Sequence, residues 1–170
     1  MRFSSLAAAF LALILLSGCA AKADPDPICP KTGFIGKTDT MTYLAPGSTK
    51  DVLATATMKG FSGDCTFKDK DKNDLEVSLT LPFIAQKGKA GGTLKEKEFP
   101  YFIGILSPDE QILQRQAFTT KISFDDTGAG SSSEEHVIKI PLKTRADADK
   151  YKVIIGFALT RDQMKYNEEK

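Results

Sequence analysis

The chain has no tryptophan, one histidine and three cysteines among 170 residues. Lacking tryptophan, it argues against a sugar site built on stacked indole. A single histidine excludes a histidine-rich metal centre. Three cysteines are too few for the four clustered ligands of a structural zinc site. The chain also lacks any apolar run of the ~20 residues a helix needs to cross a bilayer. Neither charge sign is in excess: 23 Lys and Arg stand against 22 Asp and Glu. A nucleic-acid binder normally shows a basic stripe, and none is visible. G-x-S-x-G, H-E-x-x-H and phosphate-loop patterns are missing too. No cofactor and no catalytic residue is therefore assigned.

What is present begins at the N-terminus. Met1-Arg2 gives a positive start, and Leu6 to Leu16 is an apolar run about half the length of a membrane span. These are the n- and h-regions of a secretory signal peptide. The run closes on Leu16-Ser17-Gly18-Cys19, which resembles a bacterial lipobox. An aliphatic residue and two small ones give the processing enzymes access to the backbone beside a thiol. The resemblance implies a signal peptide over 1–18, lipid on Cys19, and cleavage that makes Cys19 the new N-terminus. One acyl chain binds membranes marginally, whereas several anchor stably. Ala20-Ala21 follow, without the Asp often found in lipoproteins retained at the inner membrane. The implied location is the outer membrane, facing the periplasm.

Residues 1–18 carry Arg2 and no acid, so the mature chain is balanced in charge. Its length suits one domain with a real core. Residues 19–28, with Pro25 and Pro27, form the lipidated N-terminus and a tether. The domain spans 29–170. Beside Cys19 stand Cys29 and Cys65, an even pair for which an oxidising compartment favours a disulfide. Closing a loop of about 37 residues contributes roughly 3–4 kcal/mol on the chain-entropy model.

From Cys29 on, short strand patterns follow one another. They lie at 41–44, 52–58, 64–67, 75–85, 99–106, 112–124, 136–142 and 151–159. The segment from Leu75 to Ala85 alternates most cleanly. Pro82 within it cannot donate to a ladder, which places that end at an edge or bulge. Residues 87–98 read as a Gly/Lys-rich solvated loop, its lysines diluted by Glu96 and Glu98, rather than as a contact for lipid head groups. Residues 125–135 read as a mobile Gly/Ser loop. Thr160-Arg161-Asp162-Gln163 has the form of a capping box that starts a short C-terminal helix.

The expected fold is all-β: an immunoglobulin-like or fibronectin-like β-sandwich of seven to eight strands with a short C-terminal helix, a small barrel being the alternative. Tyr151, following Asp147 and Asp149, resembles the tyrosine corner of such domains; a plain half-buried strand Tyr is the other reading.

His136 reads as an exposed strand-end side chain rather than a general base. Asp69, Asp71 and Asn73 echo the first half of a calcium loop, but Asp74 stands where glycine belongs and Thr80 where glutamate belongs. The turn therefore reads as a solvated hairpin tip, with no metal. Cys29-Pro30, Leu53-Ala54-Thr55-Ala56, Gly63-Asp64-Cys65, Phe99-Pro100-Tyr101-Phe102 and Tyr151 to Thr160 together resemble a family of uncharacterised small alphaproteobacterial lipoproteins. That resemblance implies an envelope location and transfers no activity. The expected function is a non-catalytic binding or structural module for an envelope partner. The alternative is a carrier of envelope lipid or glycan, or a carboxylate-based hydrolase.

Overall fold

The computed structural model describes residues 28–69 and 73–169. The signal peptide, Cys19 and most of the tether lie outside the described residues, as do Lys70, Asp71 and Lys72 in the supposed hairpin tip.

Among the described residues nine strands form two sheets. They are β1 (Lys31–Phe34), β2 (Thr40–Leu44), β3 (Val52–Met58), β4 (Ser62–Phe67), β5 (Asp74–Lys87), β6 (Glu96–Leu106), β7 (Ile112–Ser123), β8 (Ala129–Pro141) and β9 (Lys152–Phe157). The helix α1 (Arg161–Glu168) follows. The first sheet runs β1-β9-β6-β7, with β1 parallel to β9. In the second, β5 is central: β8 pairs along one side for 13 residues, while β3 and β4 share the other, end to end. Strand β2 extends this sheet beyond β3. The sandwich and the C-terminal helix are as the sequence implies. The strand count is nine because β1, too short to show a period, was not legible as a strand.

The core is filled by the inward faces. Leu75, Val77, Leu79, Leu81, Phe83 and Ala85 of β5 are all buried, as the period-2 pattern requires. They meet Phe99, Tyr101, Ile103 and Ile105 of β6 and Val153, Ile155 and Phe157 of β9. Phe83 touches Tyr101 and Phe157 at centroid distances of 5.1 and 5.9 Å, within the range where aromatic pairs attract beyond their buried area. Tyr151 is buried in this core. No hydrogen bond from its hydroxyl to the upstream backbone is found among the described residues, so it serves as a core aromatic.

Two local readings change. Pro82 lies in the central strand, not at a sheet edge. Residues 75–80 pair with β4 and 83–87 with β3, so Pro82 stands at the junction between them. There its carbonyl accepts from Lys59 N, and its missing N–H faces the same gap and costs no ladder bond.

The supposed loop over 125–135 is mostly strand. Only the four-residue turn Asp125–Gly128 remains, held by Asp125 Oδ1 accepting from the Thr127 and Ala129 amides. The low strand propensity of Gly130 and Ser131–Ser133 is overridden by continuous pairing with the apolar β5. Gly130 is required where β8 passes β7: a Cβ there would lie 2.3 Å from the Ser123 carbonyl oxygen.

Candidate functional site

The sandwich has two flanks, each lined by edge strands. On one, β1 faces β2 and β4. On the other, β7 faces β8. Each flank holds a polar arrangement within reach of solvent.

On the first flank, α1 closes an edge. Among the described residues strand β2 pairs only with β3, which leaves its outer carbonyls without ladder partners there. The helix begins at Thr160, whose hydroxyl accepts from Gln163 N while the Gln163 side chain accepts from Thr160 N; both halves of the capping box form. The next turn then presents carboxamides to the edge. Gln163 Nε2 donates to Thr42 O at 3.1 Å. Asn167 Nδ2 donates to Lys37 O at 2.9 Å and to Thr40 O at 2.8 Å. Asn167 is buried, and its own carbonyl accepts from Lys37 Nζ. Side-chain amides thus stand where a further strand would, which is one way an open edge is protected.

Beside this contact runs a groove of about 590 Å³. Met41, Tyr43, Pro100 and Ala158 contribute to its lining, with Gln163 and Tyr166 from the helix and the Gly47–Thr49 turn opposite. Its size falls in the range of small-ligand and short-segment sites. Tyr43 packs on Phe99 at 5.6 Å, and Lys97 Nζ lies 4.1 Å from the centre of its ring. Burial, with help from the negative charge of Glu98, raises the Tyr43 hydroxyl above its ordinary range. The phenol is therefore a neutral hydrogen-bonding group at physiological pH. Asp162 and Glu169 are the carboxylates of the lining, and Lys165 lies between them in sequence. Such a surface offers shape, aromatic contact and hydrogen-bonding groups.

The second flank holds His136. Far from ending a strand, it sits within β8 opposite Leu79 of β5, half-buried and turned inward. Its Nε2 lies 2.8 Å from the hydroxyl of Tyr101, and its ring packs 4.2 Å from that of Phe118. Burial lowers the His136 pKa from 6.5, against an opposing pull from Glu134. Burial also drives the Tyr101 hydroxyl far above its ordinary range, and Glu134 adds to that rise. Near neutral pH both groups are thus neutral, and a single hydrogen bond joins the phenol to the imidazole.

Close by, Thr120 is fully buried. Its hydroxyl donates to Glu134 Oε1 at 2.8 Å and, its one proton being so used, accepts from Ser132 Oγ at 2.6 Å. Tyr101, His136, Thr120, Ser132 and Glu134 each have a hydrogen-bond partner here, and a satisfied buried network rigidifies the flank. The three serines of 131–133 belong to β8, and Ser132 serves this network.

The remaining candidate residues are placed as follows. Cys29 and Cys65 form a disulfide with a Cα–Cα distance of 5.6 Å. It ties the segment before β1, in the first sheet, to β4 in the second. Of the acidic turn, Asp69 accepts from Arg145 through its backbone carbonyl, and Asn73 Nδ2 donates to Lys143 O. Among the described residues no group of three His, Cys, Asp or Glu side chains could hold a metal ion. The segment after β5 is shorter than the sequence suggested. A 3₁₀ turn at Lys89–Gly91 folds it, Lys87 donates to Leu94 O, and Lys121 pairs with Glu96 at 2.6 Å. No helix among the described residues is long and apolar enough to cross a membrane.

Compared with known proteins, the chain matches no family model, and neither a curated protein nor a solved structure is similar to it.

Proposed function

We propose that this protein is a lipid-anchored, periplasm-facing envelope module, held by lipid on Cys19, that binds a partner non-catalytically in the groove between β2 and α1. One observation carries the binding reading. The groove of about 590 Å³ lies on a protected sheet edge and is lined by aromatic, amide and apolar groups, and the acid and base that meet in its lining, Lys165 and Glu169, form an exposed ion pair at 3.8 Å. Leu16-Ser17-Gly18-Cys19 and the Cys29–Cys65 disulfide support export and anchoring.

A photoreactive residue at Tyr166 in intact cells is expected to capture a defined envelope protein, identified by mass spectrometry. The same probe at Val137, on the other flank, should capture none. Capture at neither position, or equally at both, refutes the groove as the binding site. Anchoring is tested separately: Cys19→Ser should release the protein from the membrane fraction. Co-fractionation of the wild-type chain with inner-membrane markers would refute the outer-membrane location.

A second reading, a carrier of a small amphipathic envelope molecule, is favoured by the groove volume and by Tyr43 and Tyr166 on its lining. Native mass spectrometry of the purified chain would show such a molecule as a retained mass.

A further inference from the structure

Three exposed large apolar side chains lie along the flank that carries the tether: Ile28 just before β1, Ile35 just after it, and Phe61 just before β4. Ile28 is 72% exposed, Ile35 46% and Phe61 39%. Ile28 directly precedes Cys29, and Cys29 and Phe61 line one cavity of about 400 Å³ with Pro30 and Thr32. Phe61 also meets Phe34 edge-on at 6.0 Å. Ile35 follows Phe34 in the turn to β2. That turn lies beside the connection carrying Phe61, because Met58 N donates to Asp39 O. The disulfide fixes Cys29 to β4, so Ile28 does not swing free of this flank. Lys31 and Lys59 are exposed near the same residues, with Asp64 the carboxylate on the cavity lining.

Isolated surface apolar residues are ordinary, whereas a grouped set next to an attachment point indicates an interaction. The chain itself indicates with what. Cys19 lies nine residues before Ile28, and at ~3.3–3.6 Å per residue that reach is at most about 30 Å. A bilayer holding Cys19 is therefore never far from this flank. Exposed apolar groups beside lysines suit the boundary between acyl chains and anionic head groups.

We propose that the flank bearing Ile28, Ile35 and Phe61 is a membrane-contact surface that rests on the phospholipid bilayer holding the anchor. The domain is then held in one orientation, with the β7–β8 flank away from the lipid. This inference rests on the anchored reading above and names the surface that the anchor brings into contact.

The absence of native tryptophan makes the test clean. The full chain carrying Phe61→Trp, and separately Val137→Trp on the opposite flank, is purified from membranes. Each is reconstituted in phosphatidylethanolamine–phosphatidylglycerol vesicles with plain or brominated acyl chains. Fluorescence of the Phe61→Trp chain is expected to be blue-shifted and quenched by bromine at least about twofold more than that of the Val137→Trp chain. Adding Ile28→Ser and Ile35→Ser should reduce that quenching. Equal quenching in the two reporters overturns the proposal, and so does an unshifted spectrum for Phe61→Trp; Ile28→Trp repeats the measurement if Phe61→Trp does not fold. Mass spectrometry of the N-terminal peptide from the same sample reads lipid on Cys19 independently. If Cys19 carries none, the anchored reading fails, and flotation of the wild-type chain with vesicles decides the surface. Flotation that Phe61→Ser abolishes supports it; absence of flotation overturns it.

Discussion

Replacing Asn167 with alanine isolates the contact that seals β2. The buried amide donates to Lys37 O and Thr40 O at 2.9 and 2.8 Å. Each ordinary hydrogen bond contributes roughly 0.5–1.5 kcal/mol net, and a buried carbonyl left without a donor costs about 1–3 kcal/mol. Water reaches part of the freed space beside the groove, so the sum is about 2–3 kcal/mol rather than the upper bound. With a urea m-value of about 2 kcal/mol/M, typical of small domains, the unfolding midpoint should fall by about 1 M. Urea denaturation with the disulfide intact measures this, with Glu168→Ala as an exposed neighbour expected to stay within about 0.5 kcal/mol of wild type. Because α1 has one face on β2 and little else, part of the loss should also appear locally. Amide exchange over 40–44 and 161–168 should quicken more than exchange in β5. A midpoint within about 0.5 kcal/mol of wild type, together with unchanged exchange in both segments, would refute the view that α1 is a seal on the β2 edge.

Other perturbations test other parts of the fold. Replacing both Cys29 and Cys65 with serine should lower stability by about 3–4 kcal/mol, as expected for a closed loop of this length; an unfolding midpoint equal to that of the oxidised protein would show the bridge to be dispensable. Because the folded-state pKa of His136 is lowered, the unfolded chain binds the extra proton first. Stability should be full above the ordinary value of 6.5 and fall as pH drops below it. Thermal melts of wild type and His136→Gln between neutrality and mild acid should show a smaller slope in the variant, and identical slopes would rule the histidine out. Gly130→Ala must displace the β7 backbone or the variant's own strand. A destabilisation of about 1–3 kcal/mol is expected, and a neutral result in urea would mean that the β7–β8 crossing has room to relax.

Much of the candidate site was hidden in the sequence for identifiable reasons. Tyr43, Gln163 and Tyr166 carry no motif; the capping box at Thr160 locates a helix start but says nothing of where the helix docks. His136 was visible as a lone histidine, yet its partner Tyr101 lies on a different strand, in the other sheet. The available signal was the alternation Ser132, Glu134, His136, Ile138, Ile140, masked by glycine and serine at its start. Pro82 illustrates the converse. Its lost donor was legible, but whether a neighbour needed that donor depended on where β4 ends and β3 begins.

The sequence by itself determined the sandwich, the inward face of β5, the cap of α1 and the pairing of Cys29 with Cys65. Those features rest on local periodicity, on side chains reaching their own backbone, and on an even cysteine count. The tertiary structure alone decided that a serine-rich segment completes β8, that His136 meets Tyr101 across the core, and that Asn167 closes the β2 edge. Each of these joins residues distant in sequence, and a strand's pattern specifies which face it buries without specifying which neighbour satisfies its edge.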